Sequence, residues 1–500
     1  MSCLYYGDNL EVLRKYIKDE SVDLCYIDPP FNSKRNYNQI YNNIGKEDTA
    51  QAQAFIDTWE WNCLAEEGFT QIIDNYQGKF TAQTIDLMVG LSKVLSKGSL
   101  LAYLVSITLR VAEIHRALKP TGSFYLHCDP TSSHYLKLVL DSVFCPPGGD
   151  FINEIVWCYR GGGTPKKDFG RRHDVILRYS KTDQYTFYPN EVRIPYQAEG
   201  IGRTDDAMWG KHKGTNKVYK PNPLGKVPED WWLMNILNSN DPERLGYPTQ
   251  KPESLLERII RASSKENDLV LDAYCGCGTS VAVAQRLNRQ WIGIDITFQS
   301  ISLIVRRMQK VFGEDVLSQI KLNGIPKDMA SAVALANRND DRTRKEFEKW
   351  AILTYSNNRA IINQKKGADR GIDGFAFFLE EGEGNKRIVL QVKSGNVSSR
   401  DIRDLNGTMN RENAAMAIFI TLKPPTSAMV KEANACGVYQ HKVMGRNYPC
   451  IQIVTVKEIL EDGKRLDIPL SLEVLKSAQK QVDSEQLNIF TNNMDNVEVG

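Results

Sequence analysis

Five hundred residues suggest about three domains. A hydrophobic fraction of 42% and a charged fraction of 25% are those of a soluble globular protein. The net charge of +2 excludes a polycation, so any surface for nucleic acid must be local. The ten cysteines have no CxxC spacing, which argues against a zinc site or a disulfide framework and suits a reducing compartment. The N-terminus, MSCLYYGDNL, lacks the basic and apolar regions of a signal peptide. The longest apolar stretch, around Leu100 to Leu109, is too short to span a membrane. There is no internal repeat.

Gly7-Asp8-Asn9-Leu10 opens a helical pattern carried by Leu10, Leu13 and Ile17. Val22 to Ile27 then reads as a buried strand running into Asp28-Pro29-Pro30-Phe31. That places an acid, two rigid residues and a ring at a strand's carboxyl end, where open α/β sheets bind ligands. The lone pair of a base's exocyclic amine is delocalised into the ring. Asp28 and the Pro29 carbonyl could accept its hydrogens and draw them out of plane, while Phe31 could stack on a flipped base. The same four residues also read as an ordinary strand-ending turn. Residues 32–52 are rich in Asn, Gln and Tyr and read as a mobile loop able to close over substrate.

Residues 53–118 are mostly helical in pattern, with a break near Lys97-Gly98. Residues 122–129 read as a strand, 131–144 as a helix, and 154–158 and 173–179 as further strands. This alternation predicts a doubly wound, Rossmann-like α/β sheet. Residues 157–228 hold 14 Lys and Arg against 7 Asp and Glu, a local net of +7. Lys166, Lys167, Arg171 and Arg172 are interleaved there with aromatic residues. The pattern suits phosphate contact and base stacking, although long charged insertions are more often merely solvated.

A second constellation follows. A strand ends at Asp272, Gly276 and Gly278 form a turn, a helix begins near Thr279, and another strand ends at Asp295. Glycines let the backbone approach a ligand, the helix N-terminus favours an anionic group, and an acid about 20 residues on suits ribose hydroxyls. The third glycine of the dinucleotide fingerprint is missing, which disfavours NAD. Tyr247-Pro-Thr-Gln-Lys251-Pro252 lies just upstream and leads into a helix over 255–262.

With these motifs in this order, residues 1 to about 325 resemble the permuted β group of amino-methylating DNA methyltransferases. Asp28-Pro29-Pro30-Phe31 matches the family's catalytic motif. Asp272-Ala-Tyr274-Cys-Gly276-Cys-Gly278 matches its S-adenosylmethionine loop, with Tyr274 at the usual Phe. Lys251 and Pro252 fall in the motif under the methionine part, and Asp8 in the motif near adenosine. The resemblance implies cofactor contacts from Asp8, Lys251, Pro252, Asp272, Tyr274, Gly276, Gly278, Thr279 and Asp295. It also implies a target-recognition insert at 157–245 with Lys166, Lys167, Arg171 and Arg172 on DNA. Aspartate at position 28 is similar to the adenine-N6 enzymes; cytosine-N4 enzymes usually carry serine there. The implied partner is double-stranded DNA in a cytoplasm of bacterial or phage type, with no membrane and a homodimer as the candidate assembly.

Residues 326–342 are polar, lack periodicity and read as a linker to a second, smaller α/β domain over 343–462. The segment 463–500 reads as a C-terminal extension, disordered from 478. Asp373 leads into an apolar run whose hairpin partner carries Gln391-Val-Lys393. Gln391 and Lys393 share one strand face, and with a facing carboxylate they could hold Mg²⁺ against a phosphodiester. This resembles the Mrr-like branch of the PD-(D/E)xK restriction endonucleases. The resemblance implies Asp373 and Gln391 as metal ligands, Glu346 completing the site, Lys393 placing the water, and Arg370, Ser394 and Lys423 near phosphate. Two readings stay open: one chain that methylates and cuts DNA, or a methyltransferase whose C-terminal domain binds DNA without cutting.

Overall fold

The computed structural model describes residues 2–467, apart from 31–35, 40–51, 57–60, 162–165, 197–221, 239–240, 246, 248, 338–340, 357–359, 364–370, 381–383 and 442–445. The chain divides into two compact units, the first holding residues up to Gly324 apart from 38–54, which group with the second from Ile325 on.

The first unit begins with β1 (Ser2–Tyr6), α1 (Asn9–Tyr16) and β2 (Val22–Ile27). β3 (Asn36–Gln39) and β4 (Ala52–Ile56) form a separate two-stranded sheet. These strands fall within and beside the stretch expected to be a mobile loop. Most of that loop lies outside the described residues. Three helices follow: α2 (Cys63–Asp74), α3 (Ala82–Leu95) and α4 (Ser99–Ala117). Then come β5 (Leu118–Cys128), α5 (Ser133–Phe144), β6 (Asp150–Cys158), β7 (His173–Ser180) and β8 (Trp231–Leu233). The unit closes with α6 (Glu253–Ser263), β9 (Leu269–Asp272), α7 (Thr279–Arg286), β10 (Gln290–Asp295), α8 (Phe298–Phe312) and β11 (Ile320–Asn323).

Nine of these strands make one sheet in the order β11-β1-β10-β9-β2-β5-β7-β6-β8. From β11 to β5 every pair is parallel, while β7 runs antiparallel to both β5 and β6. Parallel strands covered on both faces are apolar throughout. β2 obeys this, with Val22, Leu24, Cys25, Tyr26 and Ile27 all at 2% exposure or less. α6 buries Leu255, Leu256, Ile259 and Ile260, and α8 buries Ile301, Ile304 and Met308, the spacing of one helical stripe. The doubly wound expectation holds, with β6, β7 and β8 extending the sheet as a mixed edge.

The second unit contains α9 (Met329–Ala336), α10 (Asp341–Tyr355), β12 (Ile361–Ile362), β13 (Gly374–Glu380) and β14 (Gly384–Lys393). It continues with α11 (Ser399–Arg411), β15 (Met416–Thr421), α12 (Ser427–Ala435), β16 (Val438–Gln440), β17 (Asn447–Pro449), β18 (Ile451–Thr455) and α13 (Val456–Leu460). Five strands form a sheet in the order β12-β13-β14-β15-β18. The expected hairpin is β13–β14, which pairs antiparallel with Gly374 opposite Leu390. α9 occupies part of the segment 326–342 that reads as a linker. Its start is a capping box in which Asp328 and Ser331 satisfy each other's backbone N–H groups.

A buried carboxylate fastens the helices of the first unit. Glu113 on α4 is 1% exposed and accepts from Arg14 on α1 at 3.1 Å, from Lys79 at 2.6 Å and from Arg116 at 2.8 Å. Burial pushes its carboxyl up, but the bonds from Lys79 and Arg116 outweigh burial and hold it below the usual value. The stabilisation is therefore present above the unfolded pKa and lost as pH falls through the folded one. Replacing Glu113 with Ala removes the carboxylate that three cations share, although Arg116 keeps Asp19, and the first unit should lose about 3 kcal/mol. Denaturant titration of wild type and variant checks this, and the gap between them should narrow in acid.

Candidate active site

The sheet order gathers residues that are far apart in the chain. β1, β10, β9 and β2 are consecutive parallel neighbours, so their carboxyl ends share one edge. Tyr6 pairs with Asp295, Gly293 with Asp272, and Cys25 with Leu271. Asp8, Asp295, Asp272 and Asp28 therefore stand along one edge at the ends of four adjacent strands.

Asp28 follows β2 directly. Its Oδ2 accepts from the Lys251 ammonium at 2.6 Å, and Lys251 itself is 8% exposed. Lys251, expected at the cofactor, here donates to the catalytic-motif acid and has two further N–H donors. The pairing fixes the carboxylate's rotation and leaves Oδ1 for another donor. Pro29 is buried and Pro30 half-buried, and Phe31 lies outside the described residues. Pro252 is buried and precedes the first turn of α6.

Asp272 is 3% exposed; its carboxylate accepts from Ser280 Oγ and, at 3.0 Å, from the Tyr274 N–H. Burial pushes its carboxyl up to about 7, against those bonds and with help from the charges of Asp28 and Asp295. Asp295 accepts from the Gly276 N–H at 3.0 Å and from the Thr297 N–H and hydroxyl at 2.8 and 2.9 Å. Burial pushes it up to about 6 despite them. A buried and a half-buried acid whose carboxyls are both pushed up toward neutrality fit a cationic ligand, whose charge would favour their ionised forms. S-adenosylmethionine, a sulfonium, is such a ligand. It would lie along this edge and supply an activated methyl group.

The glycines have a reason beyond ligand approach. Gly276 has φ +49°, and a Cβ there would lie 3.2 Å from the Tyr247 ring. Gly278 has φ +75°, and its Cβ would meet Ile304 Cγ1 at 2.7 Å. Both are therefore demanded by the turn and by packing. Tyr274 is half-buried against the core. The Thr279 hydroxyl accepts from Arg307 at 3.2 Å, while Arg307 also binds the Cys277 carbonyl and Glu253. Asp8 caps α1, accepting from the Leu10 and Glu11 N–H groups, and pairs with Arg110 at 2.9 Å. Asp8 and Thr279 thus carry structural bonds at positions expected to touch cofactor. Arg110 and Arg307, which hold them, have no local sequence signal.

Lys166, Lys167 and Arg171 are exposed on the loop between β6 and β7, and Arg172 is half-buried. The basic stretch is not all surface. Arg178 is 7% exposed and lies 4.8 to 5.5 Å from the rings of Phe187, Tyr185 and Tyr125. β7 is a core strand, so Arg178 belongs to the interior and not to the exposed basic surface.

In the second unit, Asp373 precedes β13 and its Oδ2 accepts from the Val392 N–H at 2.7 Å. Gln391 is 6% exposed, and its Oε1 has no hydrogen-bond partner among the described residues. Lys393 is exposed, Glu346 is buried and pairs with Lys349 at 2.5 Å, and Lys423 donates to Asn396 at 2.7 Å. Arg370 lies outside the described residues. Among the described residues of this hairpin a divalent cation would find the Asp373 carboxylate, engaged on one oxygen, and the Gln391 amide oxygen. Among the described residues no three His, Cys, Asp or Glu side chains group as a metal site. That donor set does not make a self-sufficient Mg²⁺ site.

The open α/β sheet, its acid-lined edge and the acid-proline-proline corner fit a site for a nucleotide-type cofactor at the carboxyl ends of the strands. The DNA methylase model of the N6/N4 type matches residues 22–306, more than half of the chain. The chain belongs to the N6/N4 DNA methylase family and is a DNA methyltransferase. It is 42% identical over 309 residues to the type II methyltransferase M2.DpnII of Streptococcus pneumoniae, covering 61% of this chain and 89% of that one. It is 33% identical over 213 residues to M.BglII of Bacillus subtilis, covering 40% and 57%. It is 28% identical over 322 residues to the DNA adenine methyltransferase YhdJ of Escherichia coli K12, covering 64% and 87%. Residues 344–461 match a model described as NACHT-associated inactive restriction endonuclease 1. The expectation of an Mg²⁺-dependent nuclease is therefore not supported.

The two raised carboxyls give the cofactor site a signed pH response. Each binds a proton more tightly folded than unfolded, so the ligand-free fold loses stability as pH rises from 3.8 through about 7 for Asp272. A cationic ligand needs the ionised forms. Affinity for S-adenosylmethionine should fall about tenfold between pH 8 and pH 5.5, measured by calorimetry. S-adenosylhomocysteine, which lacks the sulfonium charge, should respond less.

Proposed function

We propose that the chain methylates the N6 amine of adenine in double-stranded DNA. The observation that carries this is the Asp28 corner, where Lys251 holds Oδ2 at 2.6 Å beside the strand that ends in Asp272. Asp28 Oδ1 and the Pro29 carbonyl would accept the two amine hydrogens, localising the lone pair on the nitrogen so that it can take the methyl group from the sulfonium sulfur, which leaves neutral, while one of the two hydrogens departs as a proton through Asp28. Aspartate at the first motif position favours adenine over cytosine. The similarity to YhdJ, itself described as an adenine methyltransferase, points the same way. The motif order, acid-proline-proline before the cofactor loop, supports the permuted β group. The exposed basic loop between β6 and β7 is the proposed DNA contact.

Asp28→Ala should abolish methyl transfer while leaving S-adenosylmethionine affinity within about threefold, since the acid acts on the acceptor. Nucleoside mass spectrometry of DNA methylated by the wild type should give N6-methyladenine. N4-methylcytosine in its place overturns the adenine assignment.

We further propose that the second unit holds DNA without cleaving it. Supporting this are the match to a model described as inactive and the single, already bonded carboxylate of Asp373. Incubation of unmethylated and methylated DNA with millimolar Mg²⁺ should leave both intact. Cleavage lost on Asp373→Ala and Lys393→Ala would restore the restriction-modification reading.

A further inference from the structure

A chain of buried polar groups lies beneath the Asp28 corner. His127 on β5 is fully buried, and its ring stands edge-on to Trp157 at 5.5 Å and to Tyr26 at 6.3 Å. Its Nδ1 lies 2.9 Å from the Tyr26 hydroxyl on β2, and its Nε2 lies 3.2 Å from Asp174 Oδ2 on β7. The other oxygen of Asp174 accepts from the Tyr159 hydroxyl at 3.3 Å.

Burial pushes Asp174 up, but His127, Lys251 and Tyr159 outweigh it and hold the carboxyl below its usual value. An ionised Asp174 only accepts. The assignment that matches every hydrogen among these groups then has Nε2–H donating to Asp174 and Tyr26 O–H donating to Nδ1. All bonds run one way, from β2 through β5 to β7. Lys251, which pairs with Asp28, also acts electrostatically on Asp174, so one cation serves both acids.

We propose that Asp174, His127 and Tyr26 form a positioning device that fixes the end of β2, and with it Asp28, relative to the strands bearing the basic loop. Tyr26 is the penultimate residue of β2. Asp174 lies near the start of β7, and beside it the Tyr159 N–H bonds the Arg172 carbonyl at 3.0 Å, closing the neck of the 160–171 loop. A target seated on that loop is thereby registered against the acid that must meet its amine. A misplacement of about 1 Å at a reacting group can cost about 100-fold in rate. The inference rests on Asp28 being the catalytic acid.

The test compares Tyr26→Phe, His127→Gln, Asp174→Asn and the double variant Tyr26→Phe/Asp174→Asn. Tyr125→Phe is the matched control: Tyr125 pairs with Tyr26 across β2 and β5, but its buried hydroxyl bonds Ser263 at 2.8 Å and takes no part in the Tyr26–His127–Asp174 bonds. Single-turnover methyl transfer to unmethylated DNA, calorimetry with S-adenosylmethionine and thermal melting are measured on the full chain. The three single variants should slow transfer about 10- to 100-fold, with cofactor affinity within about threefold of wild type. The double variant should be no slower than its slower parent, because both cut one chain of bonds. Tyr125→Phe should keep the wild-type rate. Rates within about threefold of wild type in the three variants would overturn the device, as would multiplicative effects in the double variant. Asp28→Ala is run alongside. Activity there would overturn the catalytic assignment itself.

Discussion

Desolvation of negative charge along one edge of a sheet is the constraint on which the rest of the first unit depends. Four parallel strands end in or beside an aspartate; Asp272 is almost fully buried and Asp295 half-buried. Burying a carboxylate without partners is unfavourable by several kcal/mol. Each acid has its own compensation. Lys251 faces Asp28, Arg110 faces Asp8, Ser280 and a backbone N–H face Asp272, and the Thr297 hydroxyl with two N–H groups faces Asp295. For Asp272 and Asp295 the compensation falls short, and both carboxyls rise toward neutrality. A cationic ligand at Asp272 and Asp295 would complete what their hydrogen bonds leave undone.

The cofactor loop is shaped from outside as much as by its ligand. Tyr247 packs on Gly276, Ile304 on Gly278, and Arg307 ties the Cys277 carbonyl and the Thr279 hydroxyl to Glu253 on α6. Glu253 also binds Arg286 on α7. A buried guanidinium with three acceptors is rigid and well satisfied. It makes the conformation of the turn between β9 and α7 a property of three helices.

The second unit keeps a nuclease-like hairpin while its chemistry is thin. Asp373 stands beside Gln391 across the β13–β14 ladder, as the alternation of the sequence implied. Yet the Asp373 carboxylate is bonded to the Val392 N–H, which turns a ligand into part of the sheet. The buried Glu346 is held by its own helix neighbour Lys349. Charge that would draw a cation is spent on local structure, consistent with a match to a model described as inactive.

Local pattern was enough for most elements and for the order of motifs. The apolar run into Asp28, the glycine turn after Asp272 and the acid at Asp295 each carry their meaning within a dozen residues, because strands, turns and helix starts are set by near neighbours. The capping box at Asp328 was equally local and marks a helix where polarity alone suggested a linker. Pairings across long separations were not legible. Nothing in the sequence says that Lys251 reaches Asp28, that Arg307 holds Thr279, or that Arg178 of a basic stretch is caged in aromatic rings. His127 reads as one more residue of a strand until β5 lies between β2 and β7. Sequence determined which chemistry stands at the end of each strand. Only the strand order β1-β10-β9-β2-β5-β7 decided which of those groups meet, because contact across a sheet is fixed by hydrogen-bonded neighbours and not by distance along the chain.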